Sequence, residues 1–144
     1  MTRHEPAPVE VRPLEGDAYV VEVRGHQLHV DQPREDGGTD TAPTPVELLV
    51  GALAACVAYF AGRFLTRHGV GTEGLAVRAT FTMAAEGPAR VDSVHVRIVV
   101  PPDLPPERVP ALRAVLGTCT VKNTLTHAVE LDLEIDGFPS LAPG

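Results

Sequence analysis

The sequence predicts an α+β protein in which antiparallel sheets pack around one long central helix. Three observations carry this. From Pro45 to Arg67 the chain reads as a single helix, with no charged residue between Leu48 and Ala61. On both sides of that run the apolar residues recur with period two, the pattern of half-buried strands. Two shorter helical stretches then follow, opened by Pro105-Pro106-Glu107 and by Thr118. The resulting order, β-β-β-α-β-β-α-α-β, places helices against antiparallel sheet.

Taken in order, residues 1–7 form a loose tail. Val9 and Val11 alternate with Glu10 and Arg12 as a first strand. Tyr19, Val21 and Val23 then face one way and Glu22 and Arg24 the other. Arg24-Gly25-His26 turns the chain into a strand carrying Leu28 and Val30, which makes a hairpin. Asp31 to Thr44 is a loop rich in Pro, Gly, Asp and Thr, and a long loop in a compact domain is a place to look for function.

The central helix opens with Thr44 as cap and Pro45 at the first helical position, where a missing N–H costs nothing. Glu47 suits the positive end of the helix dipole, Arg63 and Arg67 the negative end, and Gly69 ends the run. Apolar residues fall on every face, so burial all round is expected, with a partner subunit covering part of the helix. At about 1.5 Å per residue it spans roughly 30 Å, the width of a small domain.

Beyond Gly74, Leu75, Val77, Ala79, Phe81 and Met83 share one face of a strand. Val94, Val96, Ile98 and Val100 share one face of the next, across a turn at Glu86-Gly87-Pro88. Val109, Leu112, Val115 and Leu116 form the apolar side of a second helix, closed by Gly117. Thr118 caps a third. Val129, Leu131, Leu133 and Ile135, alternating with Glu130, Asp132, Glu134 and Asp136, give the clearest strand pattern of all. Residues from 137 to 144 form a second loose tail, and the whole chain of 144 residues reads as one domain.

The net charge of −7 argues against nucleic acid or an acidic membrane as partner, since both require clustered Lys and Arg. The first residues carry no apolar signal segment, and the 48–61 run is short and Ala-rich for a membrane span. A cytoplasmic protein is expected, in which the two cysteines are free, catalytic or metal-bound and not a permanent staple. The histidines show no metal-ligand spacing, and no phosphate-binding or nucleophile-elbow motif is present, so no metal or other cofactor is expected.

The chemistry therefore rests on the cysteines. Cys56, in the middle of the apolar helix, reads either as a small core residue or as a reactive thiol. Cys119, in the first turn of a helix capped by Thr118, has a site that lowers a thiol pKa, or else fills a gap between helices. Sequence distance alone establishes no contact between them.

Several stretches together resemble one family. They are Asp31-Gln-Pro, Gly37-Gly38-Thr-Asp, Pro43-Thr-Pro-Val-Glu-Leu-Leu-Val-Gly-Ala-Leu-Ala-Ala-Cys56 and Cys119-Thr-Val-Lys-Asn-Thr-Leu125. From about residue 17 to 136 the chain resembles the OsmC/Ohr family of osmotically induced proteins and organic hydroperoxide reductases. The resemblance implies an OsmC-like α+β fold, an intertwined homodimer around two central helices, and two cysteines that reduce organic hydroperoxides. Cys56 would be the peroxidatic cysteine and Cys119 the resolving one, with a dithiol as reductant. Arg34 matches the arginine that holds the thiolate, with Arg24 second, and Glu47 would fix that arginine. Leu53, Phe60 and Phe64 would make the pocket apolar or fill the dimer core. The chain departs from the family pattern at Val46, where a glutamate usually follows the proline, and at Lys122, where the motif often ends in His. Those departures keep a second class open: a non-enzymatic thiol redox sensor, or a binder of an apolar ligand between subunits.

Overall fold

A reciprocal cap fixes where the central helix begins. In the computed structural model, which describes residues 5–138, Thr44 Oγ1 accepts a hydrogen bond from the Glu47 N–H (3.1 Å) and Glu47 Oε1 accepts one from the Thr44 N–H (2.9 Å). Two amides that the first turn would leave unpaired are thereby satisfied. Helix α1 runs Pro45–Arg67. Gly69 closes it at φ 71°, with Val70 N–H bonded to Leu65 O (2.9 Å) and Gly69 N–H to Thr66 O (3.2 Å). These are the paired bonds of a Schellman stop, in which glycine takes the left-handed position. Of the expected tails, residues 1–4 and 139–144 lie outside the described residues.

The chain divides into two compact units. The first comprises the residues up to Ala52 together with Ala79–His95, the second Leu53–Arg78 and the residues from Val96 onward. In the first unit, β1 (Glu10–Pro13), β2 (Tyr19–Val23) and β3 (His26–Val30) form an antiparallel sheet in that order. Val11 pairs with Val21, and Val21 with Leu28. Arg24 and Gly25 both take positive φ, at 49° and 80°, as a two-residue hairpin turn with matching twist requires. Tyr19, Val11 and Leu28 are exposed on one face, where Val30 opposite Tyr19 is buried, and Val20 is buried on the other face.

The loop after β3 is tied to one carboxylate. Asp31, 1% exposed, accepts hydrogen bonds from Gln32 N (2.7 Å), Thr39 Oγ1 (2.9 Å), Thr41 N (3.1 Å) and Thr41 Oγ1 (2.8 Å). The Thr41 and Gln32 donors outweigh the cost of burial and hold its pKa far below the usual aspartate range. Gly38 lies so close to the Gln32 carbonyl that an added Cβ would sit 2.0 Å from its oxygen.

Strands β4 (Ala76–Met83) and β5 (Val91–Val99) pair as a two-stranded sheet, and residues of both fall in each unit. The expected alternation of burial holds in β5, where Val94, Val96 and Ile98 are half-buried while Ser93, His95 and Arg97 are exposed; in β4 Val77 and Ala79 follow it, but Phe81 and Met83 are exposed. The core of the second unit is built from Ala61, Phe64 and Leu65 of α1 with Leu104 and Leu112. A 3₁₀ turn (Pro106–Arg108) leads into α2 (Val109–Leu116), and α3 follows at Thr120–Thr126.

Two sequence expectations need correction. Burial of α1 all round does not hold within one chain. Val50, Leu53, Val57, Ala61, Phe64 and Leu65 form one buried stripe, whereas Gly51, Ala52, Ala55 and Tyr59 opposite are exposed, Tyr59 by 54%. A single short chain has material to cover only one side. The helix has the length and hydropathy of a membrane span, but that buried stripe is what a core helix requires. The final strand also does not form. Of residues 129–135 only Leu133 makes a bridge, and Val129, Leu131, Leu133 and Ile135 are 57%, 69%, 68% and 53% exposed. Alternation makes a segment competent to pair, but a strand exists only when a neighbour takes up its N–H and C=O groups.

Candidate active site

The two cysteines meet within the second unit. Cys56 projects from α1 and is half-buried, and Cys119 is completely buried. The local structure around Cys119 differs from the sequence expectation. Thr118 does not cap α3: its Oγ1 donates back to Val115 O at 2.6 Å, at the end of α2. Cys119 itself occupies the N-cap, with ψ at 119°, and its carbonyl accepts the Asn123 N–H at 3.0 Å. Thr118 can satisfy a carbonyl of the preceding turn without leaving helical geometry, which is how a hydroxyl competes with a capping role.

This one-residue displacement decides which sulfur benefits. Burial pushes the Cys56 thiol up, but it receives hydrogen bonds from the Cys119 thiol and from the Val121 and Thr120 N–H groups, and together these hold it below the ordinary thiol range. Cys119 goes the other way. Burial raises it, and so do the hydrogen bond it gives to Cys56 and the negative charge there; the Lys122 and Val121 N–H groups offset this only in part. The pair is thus biased in opposite directions, Cys56 toward easier ionisation and Cys119 toward keeping its proton. Loss of water alone would make a helix-borne cysteine inert. The donors at the start of α3 reverse that outcome.

The other predicted residues are placed as follows. Arg34 is exposed and opens a 3₁₀ turn (Arg34–Asp36) in the first unit. Arg24 sits in the β2–β3 turn. Glu47 is engaged through Oε1 in the helix cap. The groups that lower Cys56 all belong to the second unit. Leu53 and Phe64 are buried, Phe64 within the core cluster. Phe60 is half-buried and stacks edge-to-face on Tyr59, with centroids 5.3 Å apart. An open cavity of about 580 Å³ on the Tyr59 side of α1 is lined by Arg63, Arg67 and Thr72 among others, and by neither cysteine. Among the described residues no three His, Cys, Asp or Glu side chains gather as a metal ion would need.

Sequence reasoning missed the Thr120 and Val121 amides. No side chain announces them. The only trace was their place directly after Cys119, where a helix start leaves N–H groups free of helical partners.

The arrangement is thus a cysteine three turns into a helix that opens Pro45-Val-Glu-Leu-Leu, facing a second thiol and two backbone amides. The model of the family described as OsmC-like protein matches residues 38–134, the span from the loop before α1 to the end of the acidic segment. The chain belongs to the OsmC-like protein family. Solved structures agree in fold. A candidate osmotic-stress-induced and detoxification response protein from Psychrobacter arcticus 273-4 superposes with TM-score 0.74 at 21% identity, covering 86% of this chain and 91% of that one. An organic hydroperoxide resistance protein from Legionella pneumophila gives 0.61 at 20%, covering 86% and 91%. A candidate organic hydroperoxide resistance protein from Vibrio cholerae O1, with captopril bound in one of its active sites, gives 0.63 at 20%, covering 98% and 99%. No curated protein sequence matches the chain. Both cysteines fall within the matched span, Cys56 on α1 and Cys119 in the segment after α2.

Proposed function

We propose that this OsmC-like protein is a thiol-dependent peroxidase that reduces organic hydroperoxides through Cys56 and Cys119. The observation that carries the reading is the opposite bias of the two sulfurs: Cys56 held low and partly accessible, Cys119 held high, buried and hydrogen-bonded to it. The Cys56 thiolate attacks the distal oxygen of the hydroperoxide. The O–O bond breaks, the alkoxide leaves and is protonated to an alcohol, and Cys56 becomes a sulfenic acid. Cys119, already in contact, then attacks the Cys56 sulfur, hydroxide leaves as water, and a disulfide forms. A dithiol returns both thiols in a two-electron exchange.

In this reading the chain acts as one domain and as a homodimer in the cytoplasm, where thiols are kept reduced. The partner covers the open side of α1. Arg34 steers the peroxide and favours the thiolate, and Glu47 contributes by fixing the start of the helix. The names of the hydroperoxide resistance proteins that share the fold support the substrate class. The test is peroxide consumption with dithiothreitol, comparing tert-butyl hydroperoxide with hydrogen peroxide. Faster turnover of the organic substrate is expected. Disulfide formation by one equivalent of hydroperoxide without turnover would replace the enzyme by a redox sensor.

A further inference from the structure

The open cavity along α1 lies away from both cysteines and has a chemistry of its own. Its volume of about 580 Å³ falls within the range of small-molecule sites. Ala58, Gly62 and Thr66 line it at intervals of four residues, so they follow one another along a single line of the helix. That line is a floor with little side chain. At Gly62 the floor is closed from below: an added Cβ would meet only Leu75 Cδ2 and Thr72 Cγ2, each at 3.8 Å. The Thr66 hydroxyl is spent on the Gly62 carbonyl at 2.9 Å, so the floor offers no free donor. Tyr59, Arg63 and Arg67 repeat at the same interval one residue further on and form a wall.

The wall is cationic. No residue lining the cavity is acidic, and neither arginine forms a salt bridge with a carboxylate of the described residues. Like charges one turn apart repel each other, so the fold keeps this pair against a cost, in a chain whose net charge is −7. The negative end of the helix dipole accounts for Arg67 in the last turn, but its effect fades before Arg63. Arg63 is also held in place. Its Nη1 donates to Tyr59 Oη at 2.9 Å, and its guanidinium lies 5.7 Å from the Tyr59 ring centroid. An arginine fixed in this way gives up little further freedom when it takes an anion. We propose that this cavity binds a small carboxylate with an unbranched hydrocarbon tail, the head held by Arg63 and Arg67 and the tail lying along Ala58 and Gly62. The two carboxylate oxygens match one guanidinium fork or bridge the two, and the floor suits methylene groups because it is apolar or already hydrogen-bonded. In the proposed homodimer the partner closes over the bound tail. The inference does not depend on the peroxidase reading, since no thiol lines the cavity.

The test is calorimetric titration of the full chain with octanoate, 1-octanol and acetate. Octanoate should bind at least about tenfold more tightly than 1-octanol, which lacks the charge, and than acetate, which lacks the tail. Arg63→Gln and Arg67→Gln should each weaken octanoate by about tenfold and leave 1-octanol little changed. Gly62→Leu, which fills the floor with a better helix former, should abolish binding of both without lowering the melting temperature. Octanoate that binds no better than 1-octanol, that ignores both arginine substitutions, or that still binds Gly62→Leu overturns the proposal. So does an absence of binding at millimolar octanoate; if Arg63→Glu or Arg67→Glu then dissociates the dimer in sedimentation, the groove is the seat of a second copy alone. Cys56→Ser should bind octanoate as the wild type does. Loss of binding there would move the ligand to the thiol site, overturning this proposal and leaving the peroxidase reading intact.

Discussion

Removing the Cys119 thiol isolates what it does for Cys56. Cys119→Ala deletes the donor, Cys119→Ser keeps an O–H in nearly the same place, and each variant leaves Cys56 as the single cysteine to report. A hydrogen bond to a charged group contributes about 1.5–3 kcal/mol. Cys56 is only partly buried, so the lower end applies, and about 1.5 kcal/mol corresponds to roughly a tenfold change in thiolate population on the rising limb of the titration. At one pH on that limb, Cys119→Ala should hold about a tenth of the thiolate that Cys119→Ser holds. The direct assay is thiolate ultraviolet absorbance against pH. Alkylation by iodoacetamide should fall less, by about threefold, because a more basic sulfur is intrinsically the better nucleophile and recovers part of the loss. Superimposable titrations of the two variants would refute the idea that Cys119 donates to Cys56, and would leave the Thr120 and Val121 amides as the whole cause.

Four further outcomes are expected. Arg34→Ala should slow the first, sulfenic-acid-forming step in rapid-mixing experiments while moving the melting temperature little, and an unchanged rate would remove Arg34 from the reaction. Leu65→Ala should cost about 3–5 kcal/mol, or on the order of 10 °C in melting temperature, because the side chain is fully buried among Phe64, Leu104 and Leu112; a loss below about 1 kcal/mol would contradict that core. Asp31 has its carboxyl pKa depressed on folding, so its stabilising effect is complete above the ordinary aspartate value of 3.8 and fades as pH falls below it; Asp31→Asn should melt lower at neutral pH and show a shallower decline on acidification, and parallel acid curves would exclude the role. Sedimentation at micromolar concentration should give a dimer, with Leu133→Asp shifting it toward monomer, since the open side of α1 and the 129–135 segment leave apolar surface bare in one chain; a wild-type monomer would count against the assembly.

Much of this was written in the sequence because it depends on neighbours along the chain. Thr44, Pro45 and Glu47 set the start of α1, and Gly69 its end, since caps and stops are formed by residues within a turn of one another. The β2–β3 hairpin and the alternation in β4 and β5 were legible for the same reason. The motifs around Cys56 and Cys119 pointed to the family. Other features depend on what lies across space, and these only the tertiary structure decided. It left one side of α1 open because burial is a property of surroundings and not of composition. It left the 129–135 segment without a strand, beyond the bridge at Leu133, because a strand needs a second strand alongside it. It moved the start of α3 past Cys119, and so turned backbone amides that carry no sequence signature toward Cys56. Which of the two cysteines is biased toward ionisation was decided there, by a few N–H groups and one thiol hydrogen bond.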